Sequence, residues 1–188
     1  ADPALLATEK RHAIAQLRAL DRHHVHCVAA IHEEFAARFS SDKFAPLAEH
    51  VAAIRKVLAE CQAVVITGGN VIILLNRLLL FGLGSLLQDR HIIAWSAGAM
   101  VLGEQILLFH DRMPEGRRDA ELLGTGLSLL PEYVVLPAAK HRLRSGDRLR
   151  MTLPGYRPPP KTCAMLNYDS LLKFSDYRIT AAEATRYL

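Results

Sequence analysis

The chain has 188 residues, of which 51% are hydrophobic and 22% are charged, and its formal net charge is +4. This length supports one compact domain and is too short for two ordinary ones. The charge is only mildly basic and no aromatic residues alternate with the basic ones, so a platform for single-stranded nucleic acid is not expected.

The first sixty residues are predicted to be helical. Apolar residues recur at helical spacing from Ala4 to Phe39, which predicts one long helix or two nearly continuous ones. A further helix is predicted over Leu47 to Leu58, with Pro46 in its first turn. No strand-like run precedes Ala63.

Histidines and cysteines in this region raise the question of a metal site. Some of the histidines could share a helical face, and they are His12, His23, His24, His26 and His32. Because no cysteine or carboxylate set accompanies them, we expect surface histidines and no metal. The three cysteines form neither a disulfide framework nor a metal motif. Cys27 and Cys61 are predicted to be buried, reduced thiols, which favours the cytoplasm.

A short apolar run from Ala63 to Ile66 ends in Thr67-Gly68-Gly69-Asn70, which is typical of a buried parallel strand that opens into a glycine turn. The residues from Val71 to Leu87 predict the helix that follows, and this stretch is short for a membrane span. The turn lacks the Gly-Lys-Ser/Thr ending of a P-loop and the three-glycine spacing of a dinucleotide site. Phosphate binding is therefore not expected.

The most informative stretch runs from Ile92 to Met100. Its apolar residues end on Ser96, and small residues at Ala94 and Gly98 favour a nucleophile elbow, a tight strand-to-helix turn that exposes a serine hydroxyl. Ligands of parallel sheets bind beyond the carboxyl ends of the strands, so the glycine turn and Ser96 are predicted to lie on one rim. The alternative is a Ser-Ala-Gly turn whose hydroxyl only caps the next helix.

The last part of the chain changes character after Arg150. A run at Pro158–Pro160 predicts a stiff connector. Short strands are predicted at Thr162 to Leu166, Leu171 to Phe174 and Tyr177 to Ile179. A terminal hairpin that completes the sheet is their simplest use.

Basic residues gather just before that connector. They are Lys140, Arg142, Arg144, Arg148 and Arg150. Such a cluster is either a solvated helix face or a site that attracts an anionic ligand.

Several blocks of the sequence together resemble one family. These blocks are Gly68-Gly69-Asn70-Val71, Leu74-Leu75-Asn76-Arg77-Leu78, Trp95-Ser96-Ala97-Gly98-Ala99-Met100, Leu108-Phe109-His110-Asp111 and Gly126-Leu127-Ser128-Leu129-Leu130-Pro131. They resemble the dipeptidase E and cyanophycinase family of serine peptidases, in its poorly characterised bacterial branch. The resemblance implies an α/β three-layer sandwich with a mainly parallel sheet, flavodoxin-like and class I glutamine amidotransferase-like, here with extra N-terminal helices. True glutamine amidotransferases carry cysteine at the elbow, so Ser96 argues against glutaminase chemistry.

The resemblance also implies roles for individual residues. Ser96 is implied to be the nucleophile. The oxyanion and substrate-binding site is implied to consist of Gly68, Gly69, Ala97 and Asn70.

One position departs from the family pattern. Relatives carry a histidine base in a Leu-Pro-His-Ala segment, whereas this chain reads Leu136-Pro137-Ala138-Ala139. An alanine cannot accept a proton from a serine hydroxyl. Losing the base of a triad costs about 10⁴ to 10⁶ in rate. The site is therefore expected to be weak or silent.

Other residues could replace the missing base. His141 lies three residues beyond Ala138 and could swing toward the rim. His110 follows the strand-like Gln105 to Phe109 and could approach from another loop, or simply bond a neighbouring carbonyl. Glu121 and Asp169 best match the family's variable third member, and both could equally be solvated surface carboxylates.

The sequence therefore predicts a single α/β domain over residues 1–188. Residues 1–60 form a helical part, 61–153 a core with the elbow, and 154–188 the C-terminal strands. Folds of this family begin with a strand that is missing here. Either the chain is a fragment whose missing strand comes from elsewhere, or the sheet is rearranged with an exposed edge that favours dimerisation.

The leading function is a serine peptidase-like hydrolase that is weak or inactive, with a peptide or small acyl substrate. The alternatives are a non-catalytic binder of a peptide or acyl ligand and a structural subunit. No cofactor, nucleic acid or membrane is expected to bind. A homo-oligomer, or a partner segment that supplies the missing strand, is the expected assembly.

Overall fold

The computed structural model of the chain describes residues 2–39, 43–110, 120–142, 162–176, 178–183 and 186–187. Two helices, α1 (Pro3–Arg38) and α2 (Ala45–Glu60), precede the first strand. Asp2 caps α1 because its side chain accepts a hydrogen bond from the Ala4 amide at 2.9 Å. The long helical pattern is thus confirmed as one continuous helix, and Pro46 lies in the first turn of α2 as predicted.

Helix α1 lies on the surface of the protein, and none of its residues is buried. It contacts the body near β4 (Glu121–Thr125), where His24 Nε2 lies 3.2 Å from the Leu123 carbonyl oxygen. The prediction of buried thiols is wrong for both Cys27 and Cys61, which are exposed. Cys27 points away from the single contacted face of α1, and Cys61 lies at the surface where α2 ends.

The central unit is a parallel pair of strands, β1 (Ala63–Ile66) and β2 (His91–Ala94), in which Ala63 lies opposite His91. Two helices connect them, α3 (Val71–Leu80) and α4 (Leu83–Leu86). The single helix predicted from Val71 to Leu87 is therefore divided. The break falls at Gly82, whose φ of 63° belongs to the left-handed region.

The remaining elements form three further small sheets. In chain order they are α5 (Ala97–Leu102), β3 (Gln105–Leu108), β4, β5 (Tyr133–Pro137), α6 (Ala139–Arg142), β6 (Thr162–Leu166), β7 (Leu171–Ser175), β8 (Arg178–Glu183) and β9 (Arg186–Tyr187). Strand β3 pairs antiparallel with β4, β5 pairs parallel with β6, and β9 pairs antiparallel with β6. Strands β7 and β8 form a hairpin.

The C-terminal strands differ in part from their predicted use. A strand over Thr162 to Leu166 is confirmed, and the hairpin forms. Among the described strands, however, the hairpin pairs only with itself, and β6 is the strand that extends a parallel sheet. The run Pro158–Pro160 and the basic residues Arg144, Arg148 and Arg150 lie outside the described residues, as does Tyr177.

Within the described part of the chain, the β1–β2 pair is covered on one face only. Its inner face joins a buried cluster that includes Ile66, Leu75 and Val101. On its outer face Val65 is 54%, Ile93 57% and Trp95 50% exposed. The chain is thus a mixed α/β structure with small parallel sheets, and the described residues put helices on one side of β1–β2.

Helix α5 sets the relative direction of the two parallel pairs. Where α5 ends, the Glu104 amide donates to the Tyr133 carbonyl oxygen at 3.0 Å, at the start of β5. The helix packs along β5 and runs back from the carboxyl end of β2. Strand β5 therefore runs toward that same end, and the carboxyl ends of β1, β2, β5 and β6 point to one side. We call this side the rim.

Candidate active site

Ser96 lies in a strained turn between β2 and α5. Its φ of 54° and ψ of −128° fall outside the regions that side chains favour, at a cost of about 1–3 kcal/mol. The Trp95 amide donates to the Ile66 carbonyl oxygen at 3.3 Å, so the parallel pairing continues up to the residue before Ser96. The Ser96 side chain makes no capping hydrogen bond to α5. The hydroxyl is therefore not used as the helix cap that the alternative interpretation required.

Two glycines allow the chain to close around Ser96. A Cβ at Gly98 would collide with the Ile66 carbonyl oxygen and would lie 2.7 Å from the Thr67 carbonyl oxygen. Only glycine therefore lets α5 approach the end of β1. A Cβ at Gly68 would lie 3.0 Å from Ser96 Cβ and 3.1 Å from Ser96 Oγ. The glycine turn and Ser96 are thus in direct contact on the rim.

Three backbone amide groups beside Ser96 are available to a ligand. Ala97 begins α5, and the first amides of a helix have no acceptor within it. Gly68 and Gly69 belong to the turn, where Gly69 has a φ of 137°. Within the described part of the chain none of these three amides has a hydrogen-bond acceptor. Their role as an oxyanion hole stays a prediction that this placement favours.

Asn70 has a structural role in the same turn. Its Oδ1 accepts hydrogen bonds from the amides of Ile72 at 3.0 Å and Ile73 at 3.1 Å, which caps α3. The side chain therefore ties the glycine turn to the start of α3. A substrate-binding role for Asn70 stays a prediction.

Ala138, where the resemblance implies a histidine base, follows β5 at the rim. Its φ is 55°, so it is one of the few non-glycine residues in the left-handed region within the described ranges. Its carbonyl oxygen accepts from the amides of His141 at 3.0 Å and Arg142 at 3.2 Å, which closes the single turn of α6. The alanine side chain cannot form the local hydrogen bonds that stabilise asparagine or aspartate in this conformation. The backbone thus keeps an unusual turn at a position that has no side chain able to act as a base.

His141 and Asp169 lie near each other in sequence-distant segments beyond β5 and β6. The His141 ring contacts the Tyr168 ring edge-on, with centroids 5.6 Å apart. The Lys140 amide donates to Asn167 Oδ1 at 3.0 Å, which ties α6 to this loop. The side chains of His141, Tyr168 and Asp169 are exposed. The rim therefore holds both residues, and within the described ranges neither forms a hydrogen bond with the side chain of Ser96.

His110 and Glu121 form a pair at the ends of β3 and β4. His110 Nε2 lies 3.0 Å from Glu121 Oε1, and the imidazole is 19% exposed. The expectation of a loop histidine bonded to a backbone carbonyl is replaced by this contact with a carboxylate. The sequence singled out both residues, but no spacing rule links them, because a register shift in the β3–β4 ladder brings them together.

Arg142 connects Phe109, the residue before His110, to β5, which sequence analysis did not foresee. Its guanidinium lies 4.9 Å from the centre of the Phe109 ring. Its Nη1 donates to the Pro137 carbonyl oxygen at 3.3 Å. Arg142 therefore links Phe109, the residue before His110, to the residue that precedes Ala138.

A metal centre has no support among the residues described. Within those ranges, no three or more histidine, cysteine, aspartate or glutamate side chains lie together in a way that could hold an ion. No helix described here is long and apolar enough to cross a membrane.

Comparison with known proteins gives one finding. The model of Peptidase family S51 matches residues 18–153, well over half of the chain. The match confirms the resemblance drawn from the sequence blocks around Gly68 and Ser96. No curated protein and no solved structure matches the chain.

Proposed function

Because this chain belongs to peptidase family S51, we propose that it is a peptidase-like serine hydrolase whose nucleophile is Ser96. The observation that carries the proposal is the strained turn at Ser96, with Gly68 in contact with its side chain. Such a turn presents the hydroxyl at the end of a sheet beside unpaired backbone amides. Those amides are suited to stabilise the oxyanion of an acyl-transfer intermediate.

The reaction proposed is hydrolysis of a peptide or small acyl substrate. Ser96 Oγ attacks the acyl carbon while its proton passes to a base, and the oxyanion is held by the amides of Gly68 or Gly69 and Ala97. Collapse of this intermediate breaks the bond to the leaving amine, which takes up the proton. Water then hydrolyses the serine ester and restores the hydroxyl.

The activity is proposed to be weak because Ala138 replaces the expected base. Oriented binding and the oxyanion hole alone leave a rate about 10³ to 10⁴ above the reaction in water. The competing function is a non-catalytic relative that binds a peptide or acyl ligand at the same rim. The alanine side chain at position 138 is the observation that favours it.

A fluorophosphonate probe tests the nucleophile. We expect slow, covalent labelling that maps to Ser96 by mass spectrometry and that disappears in Ser96→Ala. Acidic dipeptides and aspartyl polymers are expected to be cleaved weakly. Labelling at another residue, or equal labelling of Ser96→Ala, would remove Ser96 as the nucleophile.

The fold proposed for the assembled protein is a three-layer sandwich of the class I glutamine amidotransferase-like type. Parallel sheets are normally covered on both faces, whereas the outer face of β1–β2 is exposed at Val65, Ile93 and Trp95. A second copy or a partner segment is proposed to cover it and to supply neighbouring strands. Light scattering of the native protein measures its mass, and a monomer at all concentrations would argue against a second copy.

A further inference from the structure

The turn at Ser96 has no base at position 138, yet a histidine paired with a carboxylate follows Phe109, which Arg142 links to the end of β5. His110 Nε2 lies 3.0 Å from Glu121 Oε1. We infer that His110, oriented by Glu121, is the base that serves Ser96 in this chain. This inference rests on the proposed hydrolase function and adds to it a residue that the family pattern does not place there.

The first step concerns direction. Strand β3 starts just after α5, close to the start of β5, because Glu104 donates to the Tyr133 carbonyl oxygen. It then runs beside β5 toward the rim. Its far end at Leu108 therefore brings Phe109 and His110 to the side where β5 ends at Pro137.

The second step concerns contact with the position of the missing base. The Arg142 guanidinium covers the Phe109 ring at 4.9 Å and donates to the Pro137 carbonyl oxygen at 3.3 Å. His110 follows Phe109, and Ala138 follows Pro137. The pair thus follows a residue that Arg142 links to the end of β5, on the same rim as the position where the resemblance implies a base.

The third step concerns the chemistry of the imidazole. A carboxylate only accepts hydrogen bonds, so the contact with Glu121 puts the proton of neutral His110 on Nε2. Nδ1 then carries the lone pair that can accept the Ser96 proton, directly or through one water. Glu121 stabilises the imidazolium that forms, which is the role of the acid in a serine triad. His110 returns the proton to the leaving amine.

Glu121 is 60% exposed, whereas His110 is 19% exposed. The solvated carboxylate positions the ring less firmly than a buried one would, because water competes for its oxygens. A weak hydrolase, and not a silent one, is the consequence. His141 differs because its ring is exposed and packs edge-on against the exposed ring of Tyr168.

The test compares rates of fluorophosphonate labelling at Ser96 in the full chain. His110→Gln is expected to slow labelling by about 10², and Glu121→Gln by about 10-fold. His91→Gln is the matched control, since His91 lies at the opposite end of β2, and its rate is expected to equal that of wild type. Free imidazole is expected to restore labelling of His110→Ala, which it would not do if His110 only supported the fold.

Each other result has a definite meaning. If Ser96 is labelled and His110→Gln reacts as fast as wild type, or His141→Gln alone is slow, the inference is overturned while the proposed function stands. If wild type is silent but Ala138→His is labelled at Ser96, the inference fails and the nucleophile site is intact. If neither protein is labelled, the proposed function fails, and the inference with it.

Discussion

The turn after β2 and the turn after β5 reach the same rim, and both hold a non-glycine residue at positive φ, Ser96 and Ala138. Only the first carries a hydroxyl, the nucleophile proposed above. Around Ser96 the functional atoms belong to the backbone, and glycines at 68 and 98 fix their positions by close contact. Around Ala138 the proposed chemistry would require an imidazole, which the alanine at this position does not supply.

This difference shows which parts of a serine site can be lost separately. The amides of the Ser96 turn come with the fold, because removing them would require breaking the contact between α5 and the end of β1. The proposed base would come with a single side chain, and the turn at position 138 is present although alanine occupies it. Under the proposed function, the backbone geometry is therefore independent of the side chain that accepts the proton.

The largest expected effect comes from restoring the missing side chain. Ala138→His is predicted to raise the rate of Ser96 labelling by about 10² to 10⁴. Histidine tolerates positive φ better than most residues, so the turn at φ 55° accepts it. The rate of fluorophosphonate labelling measures the gain. A folded variant with an unchanged rate would mean that the two turns do not face one another closely enough for proton transfer.

The next largest effect tests the backbone contact between α5 and the end of β1, which positions the turn at Ser96. Gly98→Ala is predicted to destabilise the protein by about 3 kcal/mol, because the added Cβ meets the Ile66 and Thr67 carbonyls, which cannot rotate away. Gly84→Ala is the control, since its Cβ would find only Leu127 at 3.8 Å. Urea unfolding measures both. Equal stability of the two variants would contradict the close approach of α5 to β1.

The two halves of the rim also differ in how far sequence predicts them. The strand, the glycine turn and the elbow follow from short local patterns from Ala63 to Gly98, and the structure has them in those places. The relation of His110 to Glu121 depends on the register of β3 against β4 and on a shift between Ile106 and Leu107. Residues distant in sequence meet through such details, which local periodicity does not encode.

Burial was predicted less well than secondary structure. The apolar spacing of α1 correctly gives a helix, but it does not reveal that the helix touches the body along one narrow face and leaves Cys27 exposed. Helical periodicity reports which residues could be buried, and tertiary packing decides which are. The break at Gly82 is likewise a tertiary feature within an apolar run.

A smaller effect separates reactivity from stability in the glycine turn. Gly68→Ala is predicted to slow Ser96 labelling about tenfold, because its Cβ would lie 3.1 Å from Oγ and displace the hydroxyl by a few tenths of an ångström. Gly69→Ala is predicted to cost about 1–3 kcal/mol of stability through its φ of 137°, since no atom lies near its added Cβ. Labelling rates and urea unfolding of both variants measure the two effects. If Gly69→Ala slowed labelling and Gly68→Ala left the labelling rate unchanged, the contact between Gly68 and Ser96 would be contradicted.

The smallest effect concerns the anchor of that turn. Asn70→Ala is predicted to lower the free energy of unfolding by about 1 kcal/mol, because the amides of Ile72 and Ile73 lose their acceptor. Asn70→Ser keeps an oxygen at the cap and is expected to retain most of that stability. Asn76→Ala is the control, because Asn76 is exposed inside α3 and its side chain caps no helix end. This substitution is expected to change the free energy of unfolding by only a few tenths of a kcal/mol.

Urea unfolding of the three variants decides whether Asn70 acts as a helix cap. If Asn70→Ala and Asn76→Ala prove equally stable, the cap contributes nothing and the glycine turn is held by the packing of Gly68 alone. If Asn70→Ala loses stability and Asn70→Ser does not, the turn beside Ser96 is fixed by a side chain as well as by backbone. The preserved half of the site would then depend on Asn70 in the same way that the altered half depends on the residue at position 138, through a single replaceable side chain.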